Sequence, residues 1–423
     1  AGLLAARVHL VRGRPQAALA GIEASLAAVR GAGATRSFCR IYELEQVYVL
    51  IANDRLTEAA LLARSISDAF IDAQSDTLSA IADCVAFLAD EAAGDALLAR
   101  GLAKARRDDF PMLLWRVPAQ ATRLCLAALE RGIESDFVRQ MIRTQKLAPP
   151  PAAGPVWPWP VRVLTLGGFD LELDDVPYRP ARKAQDRPLD LLKLMAVHDS
   201  AQAGRLSKPH AALLLWPDAD EGNALKSLDM AIGRLRKLLG REDAVQVSDG
   251  RLTLAPALVW VDLRALHGAL GQLRSAPTPA ALDAVLSLYR GPLLDGDDEA
   301  PWLLGPRRTL WDAVRAAVLA AARAPALAAH DDALRAALER LQAIDPTAED
   351  VAQARMHWHR ARGELAQALA VYAALRNALG AVHGVTPGAA TEQMRLQVLA
   401  AAGTGAAAAA QVERLSTGPV TRG

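Results

Sequence analysis

From residue 1 to about 148, apolar residues recur every three or four positions, and the runs are separated by short turns carrying Gly, Asn or Asp. This pattern predicts a succession of amphipathic helices. Three of the turns head similar helices: Gly13-Arg14-Pro15 before Ala17-Ala18-Leu19, Asn53-Asp54 before Glu58-Ala59-Ala60-Leu61, and Gly94-Asp95 before Ala96-Leu97-Leu98. Their spacing of roughly 40 residues predicts stacked helical hairpins, each able to bury its apolar face only against its neighbours. Six prolines (Pro149, Pro150, Pro151, Pro155, Pro158 and Pro160) then crowd twelve residues, which stops the helices and predicts an extended linker over 149–160. Trp157 and Trp159 inside it are too apolar for a solvated linker and are expected to pack on the domain that follows.

At Val161 the period changes to two. Val161 to Leu166 and Phe169 to Leu173 read as short strands, with Asp174-Asp175 at the following turn. Helical periodicity resumes from Arg187 to about His198, with Pro188 in the first turn, and a second helix runs from a capping Ser207 to Leu215 before Trp216-Pro217. A third helix covers about 223–239. Val245 to Ser248 and Leu252 to Leu254 flank Asp249-Gly250, the dipeptide that favours a type I′ hairpin turn. Beyond 263, helical patterns at 280–289, 300–324, 329–344, 348–361 and 364–380 are separated by breaks such as Asp345-Pro346. The stretch 403–423, rich in Ala, Gly and Thr, has no periodicity and is expected to be disordered. The predicted fold is mainly α, with a small α+β winged-helix domain over 161–262 between α-solenoid arms of the tetratricopeptide (TPR) type at 1–148 and 263–402.

Composition sharpens this picture in one respect. Basic and acidic side chains number 48 and 47, for a net charge of +1, so no field of the whole chain gathers a polyanion. Any such binding must come from a local patch. The third helix supplies one. At about 100° per residue, Leu225, Leu228, Ile232, Leu235 and Leu239 share a narrow arc that must face a core. Asn223, Lys226, Ser227, Met230, Arg234, Lys237 and Arg241 lie opposite, with Arg236 nearer the flank, and Asp229 is the only acid between Asn223 and Arg241.

A sheet, three helices and a hairpin form the order of a winged helix, in which the third helix enters the DNA major groove and the hairpin touches the adjacent backbone. On that reading Lys226, Ser227, Met230 and Arg234 meet base edges, Arg236, Lys237 and Arg241 meet phosphates, and Arg251 meets the backbone beside the hairpin tip. Met230 is an unusual groove residue whose apolar side chain suits a thymine methyl. So small a patch binds weakly as one copy, which predicts a homodimer on repeated half-sites. The competing class is a TPR-type interaction scaffold whose winged-helix domain binds protein rather than DNA.

The segments Trp157-Pro158-Trp159-Pro160-Val161-Arg162, Leu166-Gly167-Gly168-Phe169-Asp170-Leu171, Arg187-Pro188-Leu189-Asp190-Leu191-Leu192-Lys193 and Leu214-Leu215-Trp216-Pro217-Asp218 carry a further likeness. So do Ala224 to Asp229, Arg234 to Leu239, Val259-Trp260-Val261-Asp262, Tyr289 to Leu294, Ala368 to Tyr372 and Gly384-Val385-Thr386-Pro387-Gly388. Together they resemble a bacterial regulator family in which a response-regulator-type winged helix is fused to a helical bacterial transcriptional activator domain, as in the antibiotic regulatory proteins. The resemblance covers about 157–400. It implies double-stranded DNA and RNA polymerase as partners, with the acidic loop Asp218 to Asn223 as a polymerase contact. It also implies a transcriptional activator rather than an enzyme. The 1–148 array resembles the superhelical repeats of maltose-activator-like regulators, which carry a nucleotide-binding switch domain upstream. No GxxxxGK[ST] occurs in this sequence. The chain opens at Ala1 already in helical periodicity and reads as a piece of something longer, so 1–148 is expected to meet a protein partner or such an upstream switch domain.

Other signals are weaker. Cys39, Cys84 and Cys125 lie about 40 residues apart, which offers neither a disulfide framework nor a CxxC zinc site and fits a reducing cytosol. No run approaches eighteen uninterrupted apolar residues, and Arg7 breaks the order of a signal peptide, so a soluble, unexported protein with no membrane partner is expected, and the resemblance implies the bacterial cytoplasm and nucleoid as its setting. His357 and His359 point away from each other on a helix, and Asp295, Asp297, Asp298 and Glu299 have Ala300 where a calcium loop needs Gly. Neither metal nor cofactor is expected. Lys208 and His210 at the start of the second helix, and Arg182 and Lys183 before the first, are further candidates for phosphate contact.

Overall fold

The structure is a computed structural model and describes residues 2–69, 73–150, 153–179, 186–200, 206–297, 300–324, 327 and 331–401. The expected disordered tail and the candidate cations Arg182 and Lys183 lie outside them. The chain divides into two compact units, Ala1–Trp159 and Pro160–Gly423.

The first unit is helical: α1 (Gly2–Val11), α2 (Pro15–Gly31), α3 (Arg36–Ala52), α4 (Leu56–Ser67), α5 (Ala73–Ala89), α6 (Asp95–Arg107), α7 (Pro118–Glu130) and α8 (Ser135–Gln145). The turns singled out in the sequence separate α1 from α2, α3 from α4 and α5 from α6. Gly13 and Asp54 adopt positive φ there, which lets the chain reverse within a few residues. Consecutive helices from α1 to α6 pack on one another, and α7 packs on α8 and α5. Where α5 meets α6 the approach is close enough that a Cβ on Gly101 would lie 2.6 Å from Cys84 Sγ. Burial pushes the thiol of Cys84 well up and that of Cys125 up to about 12, so both behave as small apolar core residues. Trp157 and Trp159 are buried, and the Trp159 indole N–H donates to Gly154 O at 3.0 Å.

Two buried carboxylates bind distant helices of this unit together. Glu45 on α3 accepts from Arg7 Nε at 2.8 Å and from Arg116 Nη1 at 2.6 Å. Asp83 on α5 accepts from Arg100 Nε at 2.9 Å and Lys104 Nζ at 3.0 Å on α6, and from Arg64 on α4. Burial alone would raise the Asp83 pKa, but hydrogen bonds from Arg100, Lys104 and Arg64 hold it well below the usual carboxylate range.

The second unit opens with β1 (Val161–Leu164), β2 (Asp170–Leu173) and β3 (Val176–Pro177). Three helices follow: α9 (Asp186–Ser200), α10 (Lys208–Leu215) and α11 (Glu221–Leu239). The two-residue strand β4 (Leu206–Ser207) precedes α10, and β5 (Val245–Ser248), β6 (Arg251–Leu254) and β7 (Val259–Val261) succeed α11. One sheet has the order β3-β2-β1-β7, with β1 antiparallel to β2 and parallel to β7. The other has the order β4-β6-β5 and contains the hairpin. Asp249 and Gly250 both adopt positive φ, as a two-residue type I′ turn requires, and Ser248 pairs with Arg251.

Helices α12 (Asp262–Ser275), α13 (Pro279–Leu288), α14 (Leu304–Ala321), α15 (Asp331–Ile344), α16 (Glu349–Ala361), α17 (Leu365–His383) and α18 (389–401) complete the chain. The fold is mainly α, with the winged helix as its small α+β element. Helix α17 is long and apolar enough to cross a membrane by length and composition, which the search for an uninterrupted apolar run does not register. One face of it, including Ala368, Val371, Leu375 and Leu379, is buried with Ala352, Met356 and Val398 in a shared cluster.

The winged helix and the helices after it share a continuous apolar core, from Val161 and Val163 through Leu228 and Leu235 to Leu266, Val314 and Val351. Asp262, the first residue of α12, sits where the two parts join and is 2 % exposed. Its carboxylate accepts from Thr165 N at 2.9 and 2.8 Å, Thr165 Oγ1 at 2.7 Å, Leu166 N at 2.9 Å and Leu263 N at 2.8 Å. Burial pushes the carboxyl pKa up, and those donors oppose the rise. Beside it, Leu294 N donates to Thr165 O at 2.6 Å and Gly167 N to Pro292 O at 2.9 Å. Gly167 has φ +80°, and a Cβ there would lie 3.2 Å from the backbone of Arg290 and Gly291. Only glycine permits so close an approach.

Two stability predictions follow from the buried acids. Asp83→Asn should cost roughly 2–4 kcal/mol in urea unfolding at neutral pH, because three half-exposed cations lose their counter-charge. The Asp83 pKa is lowered in the folded state, so its contribution is complete above the unfolded carboxyl value and fades as pH falls below about 4. The gap between wild type and variant should therefore shrink in acid; a gap independent of pH would refute the charge assignment. Asp262→Ala should cost about 3–5 kcal/mol by orphaning buried N–H donors, and Asp262→Asn less, as read from unfolding midpoints.

Candidate nucleic-acid interface

Helix α11 begins two residues before the predicted start because Asp220 caps it. Asp220 Oδ1 accepts from Asn223 N at 3.0 Å and Oδ2 from Asn223 Nδ2 at 2.6 Å, and these bonds hold the Asp220 pKa below its ordinary value. The Asn223 amide, predicted to face outward, is thus occupied by the cap. Gly240 ends the helix with φ +65°. Leu228, Ile232, Leu235 and Leu239 are buried as the periodicity requires, together with Ala224 and Ala231, while Leu225 is half-buried.

On the other side Lys226, Met230, Arg234 and Lys237 are exposed, Met230 by 58 %. At about 100° per residue these four fall within an arc of about 80°, a continuous stripe along the helix. None of the three cations has an ion-pair partner among the described residues. Ser227 is half-buried at the edge of the stripe. The flanking Asp229 is bound by Lys208 Nζ at 2.5 Å, so the one acid on this part of the helix carries its own counter-charge. That pair occupies the ammonium of Lys208, while His210 beside it is exposed.

Two predicted phosphate contacts have tertiary partners instead. Arg236 donates through Nε and Nη2 to Val245 O at 3.1 and 2.8 Å, tying the end of α11 to the first strand of the hairpin. Arg241 Nη2 donates to both oxygens of Asp174, at 2.9 and 3.2 Å, in the turn between β2 and β3. The sequence marks both as cations near the stripe but holds no signal for carbonyl or carboxylate partners so far along the chain.

The hairpin is fixed from a second direction. Lys208 N donates to Gly250 O at 2.8 Å, and β4 pairs with β6 through Leu206 with Leu252 and Ser207 with Arg251. Ser207 also caps α10, its hydroxyl accepting from His210 N at 3.3 Å. Arg251 is exposed next to the tip. One structural corner thus holds the start of α10, the tip of the hairpin and, through Lys208 and Asp229, the middle of α11.

Among the described residues no group of three or more His, Cys, Asp or Glu side chains is placed to hold a metal. Asp297 of the acidic turn is paired with Lys193 Nζ at 2.8 Å; Asp298 and Glu299 lie outside the described residues. His359 Nδ1 lies 2.7 Å from Glu364 Oε2, a contact that closes the turn between α16 and α17.

The fold of the second unit is a winged helix followed by a helical domain. Residues 263–399 match the family described as bacterial transcriptional activator domain (BTAD). The likeness to regulators bearing this domain is borne out over those residues. Among solved structures, Mycobacterium tuberculosis EmbR in complex with a low affinity phosphopeptide is 20% identical, with a TM-score of 0.42 over 62% of this chain and 72% of that one. No curated protein matches the sequence.

Arg236→Ala should lower stability by about 1–3 kcal/mol in the absence of DNA, because the carbonyl of buried Val245 loses two charged donors. Arg236→Lys should restore less than half of that, since one ammonium cannot reproduce the paired geometry. Unchanged thermal unfolding in both variants would show that the brace contributes nothing.

Proposed function

We propose that this chain is a sequence-specific, double-stranded DNA-binding transcriptional activator, with a winged helix over 161–262 and an activator domain over 263–402. The observation that carries the reading is the stripe of Lys226, Met230, Arg234 and Lys237, exposed and, among the described residues, without ion-pair partners, on a helix whose neighbouring hairpin is hydrogen-bonded into place. Lys226, Ser227, Met230 and Arg234 meet base edges, Lys237 a phosphate and Arg251 the backbone beside the hairpin. Arg236 and Arg241 act by holding the helix to its surroundings, and any phosphate contact they make is additional to that.

Three free cations on one helix supply only a modest electrostatic term, which favours a homodimer on repeated half-sites. Asp220 is occupied in the α11 cap, which leaves Asp218 and Glu221 as the exposed acids of the loop proposed to meet RNA polymerase. Helices α1 to α8 would serve a protein partner or an upstream switch domain. The setting is the bacterial cytoplasm, at the nucleoid.

Arg234→Ala is expected to weaken binding to a selected cognate duplex by about 1–3 kcal/mol and to flatten base preference, whereas Lys237→Ala weakens cognate and random DNA alike and lowers the salt slope by about 1. Selection from a genomic fragment library followed by salt titration checks both. Equal losses on cognate and random duplex for Arg234→Ala would remove the groove assignment. No enriched sequence and no salt dependence would leave the interaction-scaffold reading in its place.

A further inference from the structure

Between α9, α12 and α14 lies a cavity of about 540 Å³. That volume is in the range of small-molecule sites, which are largely apolar with a few convergent polar groups. One long wall is a stripe of α12, where Leu263, His267 and Arg274 recur at helical spacing; the facing wall is a stripe of α14 that includes Leu310 and Ala313. His198 of α9 contributes to the lining from the winged-helix side.

The electrostatics of the lining are one-sided. Among the described residues it includes a guanidinium but no carboxylate. Burial lowers the His198 pKa, which disfavours a charge on that ring, and its Nδ1 lies 3.0 Å from Leu194 O. Among the described lining residues the permanent positive charge is that of Arg274, exposed at one end of a space whose other polar side chains are His198, His267 and Thr309. A neutral hydrocarbon would leave that guanidinium unused, and a cation would be repelled by it. The complementary ligand has an apolar body and one negative group.

We propose that this cavity binds a small apolar organic anion, whose body fills the space between α12 and α14 and whose negative group meets Arg274. The site is walled by helices on both sides of the Asp262 junction, so an occupant would touch the winged helix and the activator helices together.

The test uses the full chain and anilinonaphthalene sulfonate, an aromatic anion of suitable size, with uncharged phenylnaphthylamine as its neutral counterpart. Fluorescence titration should show saturable one-to-one binding of the sulfonate. Arg274→Glu should weaken it by about tenfold or more while leaving the neutral probe within about twofold, since only the charged contact is lost. Ala313→Trp, which fills the cavity, should abolish binding of both probes. Near-UV circular dichroism confirms that the variants keep their tertiary packing; if Ala313→Trp does not, Arg274→Glu, at an exposed position, decides alone. Sulfonate binding unchanged by Arg274→Glu, or weakened only in step with the neutral probe, would overturn the proposal.

Discussion

A carboxylate placed where water cannot reach it must be surrounded by donors, and the second unit is organised around one such group. Asp262 stands at the positive end of the α12 dipole and gathers the backbone N–H groups of Thr165, Leu166 and Leu263 and the Thr165 hydroxyl. Removing the carboxylate would orphan donors from two segments separated by almost the whole winged helix. The same constraint fixes its neighbours. Once Thr165 and Leu166 are held, Leu166 bridges to Leu293, Leu294 N reaches Thr165 O, and Gly167 passes so close to Gly291 that neither position has room for a side chain. Arg307 of α14 donates to Leu293 O at 2.7 Å and secures the far side of that loop. The winged helix is therefore not a bead on a string in front of the activator helices. It shares their core, and the direction in which α11 points is set relative to α12 by buried hydrogen bonds.

That rigidity bears on how a weakly charged chain can bind a polyanion. Of the five cations between Asn223 and Arg241, two are taken up in structure, Arg236 by a carbonyl and Arg241 by Asp174. The remaining three lie on one stripe, and Lys208 neutralises the acid beside it. Fewer cations in a fixed pattern trade electrostatic strength for geometry. Each phosphate contact contributes about 0.9 to the salt slope, so one copy should depend on salt far less than a broadly basic protein. On the proposed function, affinity would then come from base contacts and from joining copies.

Much of this was legible in the sequence because it rests on local rules. The arc of Leu228, Ile232, Leu235 and Leu239 follows from helical period alone, and Asp249-Gly250 specifies its turn through positive φ. Helix starts and ends came within a few residues wherever a cap or proline marked them. Long-range partners were invisible. Asp262 stood in the sequence only as the last residue of a recurrent motif, because an aspartate reads as a surface residue until its donors are known. Strand β4 is two residues long, too short for any periodic signal, yet it gives the hairpin its third strand. Helix α18 follows the break at Gly384 to Pro387, where the activator-like motifs end, and its packing through Val398 is tertiary information. Arg236 and Arg241, read from the sequence as a flanking and an outward cation, are both half-buried, because a one-dimensional pattern does not reveal which cations the fold itself consumes.

The two units use buried acids to different ends. In the first, Glu45 and Asp83 face side-chain cations that remain partly exposed, so each is an ion pair between helices whose strength changes with pH and salt. In the second, Asp262 is met mainly by backbone donors, with the Arg290 guanidinium farther off at 3.7 Å. Backbone donors cannot rotate away or be screened, so the junction between winged helix and activator helices should be insensitive to ionic strength over the range in which DNA binding is not. On the proposed function the consequence is a division of labour: salt would act on a contact between α11 and DNA without loosening the frame that presents α11. A cavity bounded by that frame on both sides is then the place where the proposed organic anion, rather than bulk salt, would act on it.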